Sequence, residues 1–297
     1  MKTSSLRDWR NSLRGTRQAG RVSGARRRRR LLCLEALEDR VTPSLTPHML
    51  LDINPTLGSL DAASVVAVGP IAYVTASDGV HGWELWKSDG TTAGTVLVKD
   101  IRPGGADSYP DDLTNVNGTL FFSAFEGTHG RELWKSDGTT AGTVLVKDIN
   151  PGDASSLPSV LTNVNGTLFF SAVDGTHGWE LWKSDGTTAG TVPVSSLAIG
   201  DLTNVNGTLF FEADDGTHGR ELWKSDGTTA GTVLVQDIRP GGDGSYPSDL
   251  TNVNGTLFFE AVDGTHGSEL WKSDGTTAGT VLVQDIVPAA TPRYPST

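Results

Sequence analysis

The stretch Leu161-Thr162-Asn163-Val164-Asn165-Gly166-Thr167-Leu168-Phe169-Phe170-Ser171-Ala172-Val173-Asp174-Gly175-Thr176-His177-Gly178-Trp179-Glu180-Leu181-Trp182-Lys183-Ser184-Asp185-Gly186-Thr187-Thr188-Ala189-Gly190-Thr191-Val192 can be cut into strands by its own punctuation. Asn165-Gly166 is a two-residue hairpin signal, because both central residues of a type I′ turn need positive φ and Asn and Gly tolerate it best. Thr167 to Ala172 is a mostly apolar run, the pattern of a strand covered on both faces. Asp174-Gly175-Thr176-His177-Gly178 interrupts it. Glu180 to Ser184 reads as a third strand ended by Asp185-Gly186, and a fourth begins near Thr191.

The same text recurs. Glu-Leu-Trp starts at Glu84, Glu132, Glu180, Glu221 and Glu269, at spacings of 48, 48, 41 and 48 residues. In other copies the fourth strand reads like Thr143-Val144-Leu145-Val146-Lys147-Asp148-Ile149, followed by a linker such as Arg102-Pro103-Gly104-Gly105-Ala106-Asp107-Ser108-Tyr109-Pro110. Four short antiparallel strands in roughly 45 residues is the arithmetic of a propeller blade. A helical solenoid is disfavoured, since nothing has a 3.6-residue period and Gly recurs every few residues. A β-sandwich is the runner-up, but sandwich strands diverge in role whereas here every fourth strand is equivalent. A β-solenoid has shorter coils and lacks tight Asn-Gly hairpins. The fold class is therefore all-β: a β-propeller-like array of five four-stranded blades, with repeats at about 55–101, 109–149, 157–197, 201–238 and 246–286.

Composition separates a head from this body. The 297-residue chain has a formal net charge of −11, yet residues 1–40 carry +8 and residues 41–297 carry −19. We expect residues 1–44 to be a disordered basic head, since an Arg-, Ser- and Gly-rich segment buries too little surface to offset its ordering entropy. Residues 45–297 form the repeat domain. The apolar run after Arg26-Arg27-Arg28-Arg29-Arg30 spans only Leu31 to Leu34, short of the ~7–15 residues of a secretory core. A nucleic-acid arm is disfavoured with Trp9 as its single aromatic residue, and the acidic body repels nucleic acid. No membrane span is expected. One cysteine, Cys33, excludes an intramolecular disulfide framework and a Cys-based zinc site.

Two resemblances follow from these residues. Glu84-Leu85-Trp86-Lys87-Ser88-Asp89-Gly90-Thr91 and its four equivalents resemble the ELWxxDGT repeat family over about residues 48–287. That resemblance implies a surface-associated bacterial repeat protein of unassigned activity, with no catalytic residues to carry over. The run Leu34-Glu35-Ala36-Leu37-Glu38-Asp39-Arg40, with Pro43-Ser44, resembles the LEPR-XLL type of element but lacks the Pro of its Leu-Glu-Pro-Arg core. It implies delivery to the cell surface or beyond by an atypical signal.

Three sets of repeated residues are candidates for a role. Trp86, Trp134, Trp182, Trp223 and Trp271 lie mid-strand, where one large aromatic per blade would fill each blade interface, in preference to a sugar-stacking platform. Trp83 and Trp179 stand where other copies have Arg131, Arg220 and Ser268, so that position is expected to be exposed. The Glu two residues before each repeated Trp shares its side of the strand. Once buried it needs partners, for which the neighbouring Gly-rich turn is the candidate. Five equivalent carboxylates are a poor basis for acid–base catalysis, so no catalytic residue is assigned.

The loop after the second strand pairs a carboxylate with a His three residues on: Asp78 and His81, Glu126 and His129, Asp174 and His177, Asp215 and His218, Asp263 and His266. These are the candidate ligand-facing loops. One loop offers only two metal ligands, so we expect loop architecture instead: an Asx turn, with His fastening the loop to the next strand. Neither a metal nor a cofactor is expected. Calcium is chemically admissible at the Asp-Gly-Thr turns, but one carboxylate per turn is too few for a tight site.

Some features depart from the repeat. Met49-Leu50-Leu51-Asp52-Ile53-Asn54-Pro55 resembles a surplus fourth strand, so a ring of blades either closes with one strand extra or stays open. Between copies three and four the chain is shorter, and Pro193 there requires a free strand edge. In copy one Gly69-Pro70 replaces Asn-Gly. The expected function is a non-catalytic cell-surface or extracellular scaffold or binding module for protein or glycan. A carbohydrate-binding or carbohydrate-active propeller, lectin- or glycosidase-like, is the alternative.

Overall fold

Twenty strands and no helix are formed among the described residues of the computed structural model, which are 65–286 together with Ile53. The basic head, the segment expected to act in targeting and, apart from Ile53, the expected surplus strand before the first blade lie outside them. The chain divides into two units, Met1–His48 and Met49–Thr297, and the blades belong to the second.

The strands make five antiparallel sheets of four, each in simple chain order. Blade 1 is β1 (Val65–Val68), β2 (Ile71–Ser77), β3 (Trp83–Ser88) and β4 (Val96–Lys99). Blade 2 is β5 (Asp111–Val116), β6 (Thr119–Phe125), β7 (Arg131–Ser136) and β8 (Val144–Lys147). Blade 3 is β9 (Ser159–Val164), β10 (Thr167–Ala172), β11 (Glu180–Ser184) and β12 (Val192–Ser195). Blade 4 is β13 (Ala198–Val205), β14 (Thr208–Asp214), β15 (Arg220–Ser225) and β16 (Val233–Gln236). Blade 5 is β17 (Ser248–Val253), β18 (Thr256–Val262), β19 (Ser268–Ser273) and β20 (Val281–Gln284). The first strands of successive blades adjoin, β1 to β5 to β9 to β13 to β17, which makes the array propeller-like.

Local chemistry accounts for each connection. Asn117, Asn165, Asn206 and Asn254 have φ of 51°, and each is followed by a Gly at 85–87°, the double left-handed geometry of a type I′ hairpin. In the first hairpin of blade 1 only Gly69 of the two turn residues has positive φ (60°), because the Pro70 ring holds its own φ negative. The first and second strands of blades 2 to 5 carry a register shift; Asp112, Val160 and Asp249 sit in it with φ of 50–55°. The Asp-Gly-Thr turns are closed internally: Asp185 Oδ1 accepts from Thr187 N (2.8 Å) and Thr187 Oγ1 (2.7 Å), while Gly190 N donates to Thr187 Oγ1 (2.9 Å). Pro193 lies in β12, the edge strand of its sheet, where no further ladder needs its missing N–H.

Each blade interface repeats one layout. Val116, Phe121, Leu133, Val146 and Ile149 of blade 2 pack against Leu161, Leu168, Phe170, Ala172 and Trp182 of blade 3. The repeated Trp therefore faces the preceding blade and the Leu before it faces the following one. All five of these Trp residues are 4–9% exposed. Polar bonds cross the same seams. Lys87, Lys135, Lys183 and Lys224 each donate Nζ to the Gly carbonyl of the next blade's Asp-Gly-Thr turn (2.7–2.8 Å). A ladder of Asn side chains runs along the first strands: Asn115 Nδ2 to Ala67 O, Asn163 to Asn115 O, Asn204 to Asn163 O, Asn252 to Asn204 O. On blade 5 the face that would meet a following blade is open: Val253, Leu270 and Val283 are 46%, 37% and 43% exposed.

Candidate functional site

In a four-stranded meander the loops alternate between two ends. The β2–β3 type loops and the linkers between blades share one end; the Asn-Gly hairpins and Asp-Gly-Thr turns share the other. All ten candidate loop residues therefore stand at one end, but as five separate pairs. His81 Nδ1 lies 2.7 Å from Asp78, His177 2.9 Å from Asp174, His218 2.8 Å from Asp215 and His266 2.6 Å from Asp263; His129 pairs with Glu126 in the same way.

The Asx turn forms as expected. Asp174 Oδ1 accepts from the backbone N–H of both Thr176 and His177 at 2.8 Å. The histidine does not fasten the loop to the next strand. Its ring folds back onto its own carboxylate, since the turn places residues three apart side by side. These bonds set the charge states. The side-chain bond to the carboxylate raises His81, His129, His177, His218 and His266 above the usual histidine value. The His177 backbone N–H, then its ring, holds Asp174 well below the usual carboxylate range.

The Glu that opens each Glu-Leu-Trp is buried behind this end. Its partners come from the linker after the fourth strand rather than from a neighbouring turn. Glu132 accepts from Ile149 N (2.9 Å), Ser156 N (2.8 Å) and Ser156 Oγ (2.5 Å). Glu84 takes Ile101 N, Arg102 N and Ser108 Oγ; Glu221 takes Ile238 N, Arg239 N and both donors of Ser245. Burial is the dominant influence and pushes Glu84 and Glu132 up to about 7, against the lowering effect of those hydrogen bonds.

Blade 3 differs. Its shorter junction leads from Ser195 straight to β13 at Ala198, and the linker is gone. Glu180, 4% exposed, is left with Asp174, His177 and the Trp182 indole acting on it, and burial raises its carboxyl above the usual value. Glu180 Oε1 is 3.8 Å from His177 Nδ1. Asp174, His177 and Glu180 are the one group of three such side chains among the described residues whose donor atoms all lie within 4.8 Å of one another. Sequence reasoning treated Glu180 as one of five equivalents; the signal was the shortened spacing after it.

The same end carries exposed apolar and aromatic side chains: Val80, Tyr109, Leu157, Trp179 and Tyr246 are 65%, 50%, 42%, 41% and 56% exposed. Trp83, by contrast, is half-buried. Tyr109, Leu157 and Tyr246 occupy equivalent positions with φ of 44–51°, a left-handed backbone costing about 1–3 kcal/mol for such residues. A buried Ser precedes each one, and the N–H of each residue donates to the first residue of the preceding blade's third strand, as in Tyr109 N to Trp83 O (3.1 Å). A polar cavity of about 400 Å³ between the first strands includes Asp112, Asp201 and Asp249, which sequence reading did not single out.

No protein-family model matches the chain, and comparison with curated proteins gives no match. Solved structures do. A puromycin hydrolase matches with a TM-score of 0.51 and 16% identity over 83% of this chain, and its mutant complexed with PGG with 0.50 and 16% over 80%. The β-propeller domain of the Trilobed protease from Pyrococcus furiosus matches with 0.45 and 8% over 77% of this chain and 71% of that one. The chain spans about 40% of the length of the puromycin hydrolase. At these identities the likeness is one of fold. The class is that of all-β, propeller-like repeat proteins with five four-stranded antiparallel blades.

Proposed function

We propose that the chain is a non-catalytic binding module of the ELWxxDGT repeat type, working at the cell surface or outside the cell. The end of the array that carries the β2–β3 type loops and the linkers takes the ligand. One observation carries this reading: Tyr109, Leu157 and Tyr246 are held in costly left-handed geometry with their side chains in solvent. Backbone strain at an exposed position is maintained against its folding cost, and such positions cluster at binding surfaces. The catalytic alternative has less support, since the carboxylates of four of the five blades repeat one another. The acidic body suits a protein or glycan partner rather than nucleic acid.

A glycan-binding reading is favoured by the aromatic character of Tyr109, Tyr246 and Trp179, whose rings can stack on apolar sugar faces. A glycan array probed with the purified chain, with and without calcium, tests it. Binding that is lost in a Tyr109→Ala/Tyr246→Ala variant supports the assigned end. Binding that survives there but is lost on changing Asn117 and Asn254, at the opposite end, overturns it. The puromycin hydrolase activity belongs to the proteins described by that name, and puromycin turnover by this chain would count against a non-catalytic module.

A further inference from the structure

We propose that blade 3 holds a zinc ion between Asp174, His177 and Glu180, at a site that the other blades lack. This goes beyond the binding-module reading and does not rest on it.

The repeat supplies its own controls. In blades 1, 2 and 4 the equivalent Glu accepts three or four hydrogen bonds from backbone and serine donors of the linker, which turn its carboxylate away from the loop above it. In blade 5 Glu269 still accepts Ile286 N at 3.1 Å. Only in blade 3 has the seven-residue shortening removed every one of these donors. Glu180 is 4% exposed and lacks every linker donor that serves its equivalents, with the Trp182 indole as the one donor left beside it. It is aimed at His177, which is itself 2.9 Å from Asp174.

The geometry suits a small divalent ion. Ligand atoms bound at ~2.0–2.2 Å in a tetrahedron lie roughly 3.3–3.6 Å apart. The observed separations of 2.9 and 3.8 Å straddle that value. One imidazole nitrogen and two carboxylates make a borderline donor set of net charge −2, which balances Zn²⁺; calcium and magnesium prefer all-oxygen shells. The fourth position faces solvent through the His177 side chain, which is 62% exposed and leaves a route for the ion. Binding is an exchange: the proton on His177 Nδ1 leaves to solvent and the metal takes that lone pair, with no change of oxidation state. Protons compete with the metal for that nitrogen.

The test is calorimetric titration of zinc into the full chain after chelator treatment, with cobalt absorption as a second readout. We expect one ion per chain and a tetrahedral cobalt spectrum. His177→Ala and Glu180→Gln should each weaken binding at least tenfold, and His129→Ala in blade 2 should leave it unchanged. Because His177 is exposed, its truncation leaves the blade packing in place, so loss of binding there cannot be assigned to misfolding. Absence of saturable binding would overturn the site. So would binding insensitive to His177→Ala, or binding lost equally in His129→Ala. Failure of the glycan experiment leaves this result untouched, and the reverse holds too.

Discussion

At the scale of single residues, two tryptophans three positions apart separate packing from exposure. Trp182 is 4% exposed, packed among Leu133, Val146 and Ile149 of the preceding blade, whereas Trp179 is 41% exposed. Trp182→Ala should destabilise the protein by ~3–5 kcal/mol through lost burial and the cavity it leaves. Trp179→Ala should cost under about 1 kcal/mol. Denaturant titration of the two variants checks this, and equal losses would contradict the interface assignment. Lys147 adds to the contrast, with its ammonium 5.5 Å from the Trp182 ring centre.

At the scale of the element, the turn between third and fourth strands is a closed unit in all five blades. Its last Gly is required by space rather than by φ. A Cβ on Gly190 would sit 2.1 Å from Asp185 Oδ1, the atom that accepts two Thr187 donors. Gly190→Ala should therefore cost about 1–3 kcal/mol, the range for forced overpacking. Gly152→Ala lies at an open linker position with φ of 100°. Its penalty comes from backbone strain alone, about 1–2 kcal/mol. In the double variant Gly190→Ala/Asp185→Ala the steric part of the first loss should be relieved, which a double-mutant cycle on thermal midpoints would show.

At the scale of the whole molecule, repetition multiplies small titration effects. Burial raises Glu84 and Glu132 to about 7, and carboxylate contacts raise the loop histidines. A group whose folded pKa lies above its unfolded value gives stability that is complete below the unfolded pKa and is lost as pH rises through the folded one. Stability should therefore fall between about pH 5 and pH 8. The depressed loop carboxylates, Asp174 and Asp263 among them, act oppositely: their contribution is present above the unfolded value and is lost in acid. Thermal midpoints across pH 3–8 should peak near pH 5, and Glu132→Gln should flatten the limb above that peak. A midpoint that climbs steadily to pH 8 would contradict the burial of these carboxylates.

The sequence by itself determined the number of strands, their order, the hairpin type and the equivalence of the blades. Those properties are local. Asn-Gly admits a double positive φ, Asp-Gly closes a turn on its own side chain, and apolar runs of six residues fill a two-sided strand. It also exposed the shortened junction after copy three. What the junction does to Glu180 was settled only in three dimensions, because the donors that satisfy a carboxylate come from 17 to 24 residues further along the chain. The same holds for the direction each Trp faces and for the Asn ladder. Pairing the histidines with their own carboxylates, not with the next strand, likewise depended on how the loop closes. Partnership of a buried polar group is decided by where the rest of the chain passes, and a repeat that is uniform in sequence becomes singular at the one place where that path is cut short.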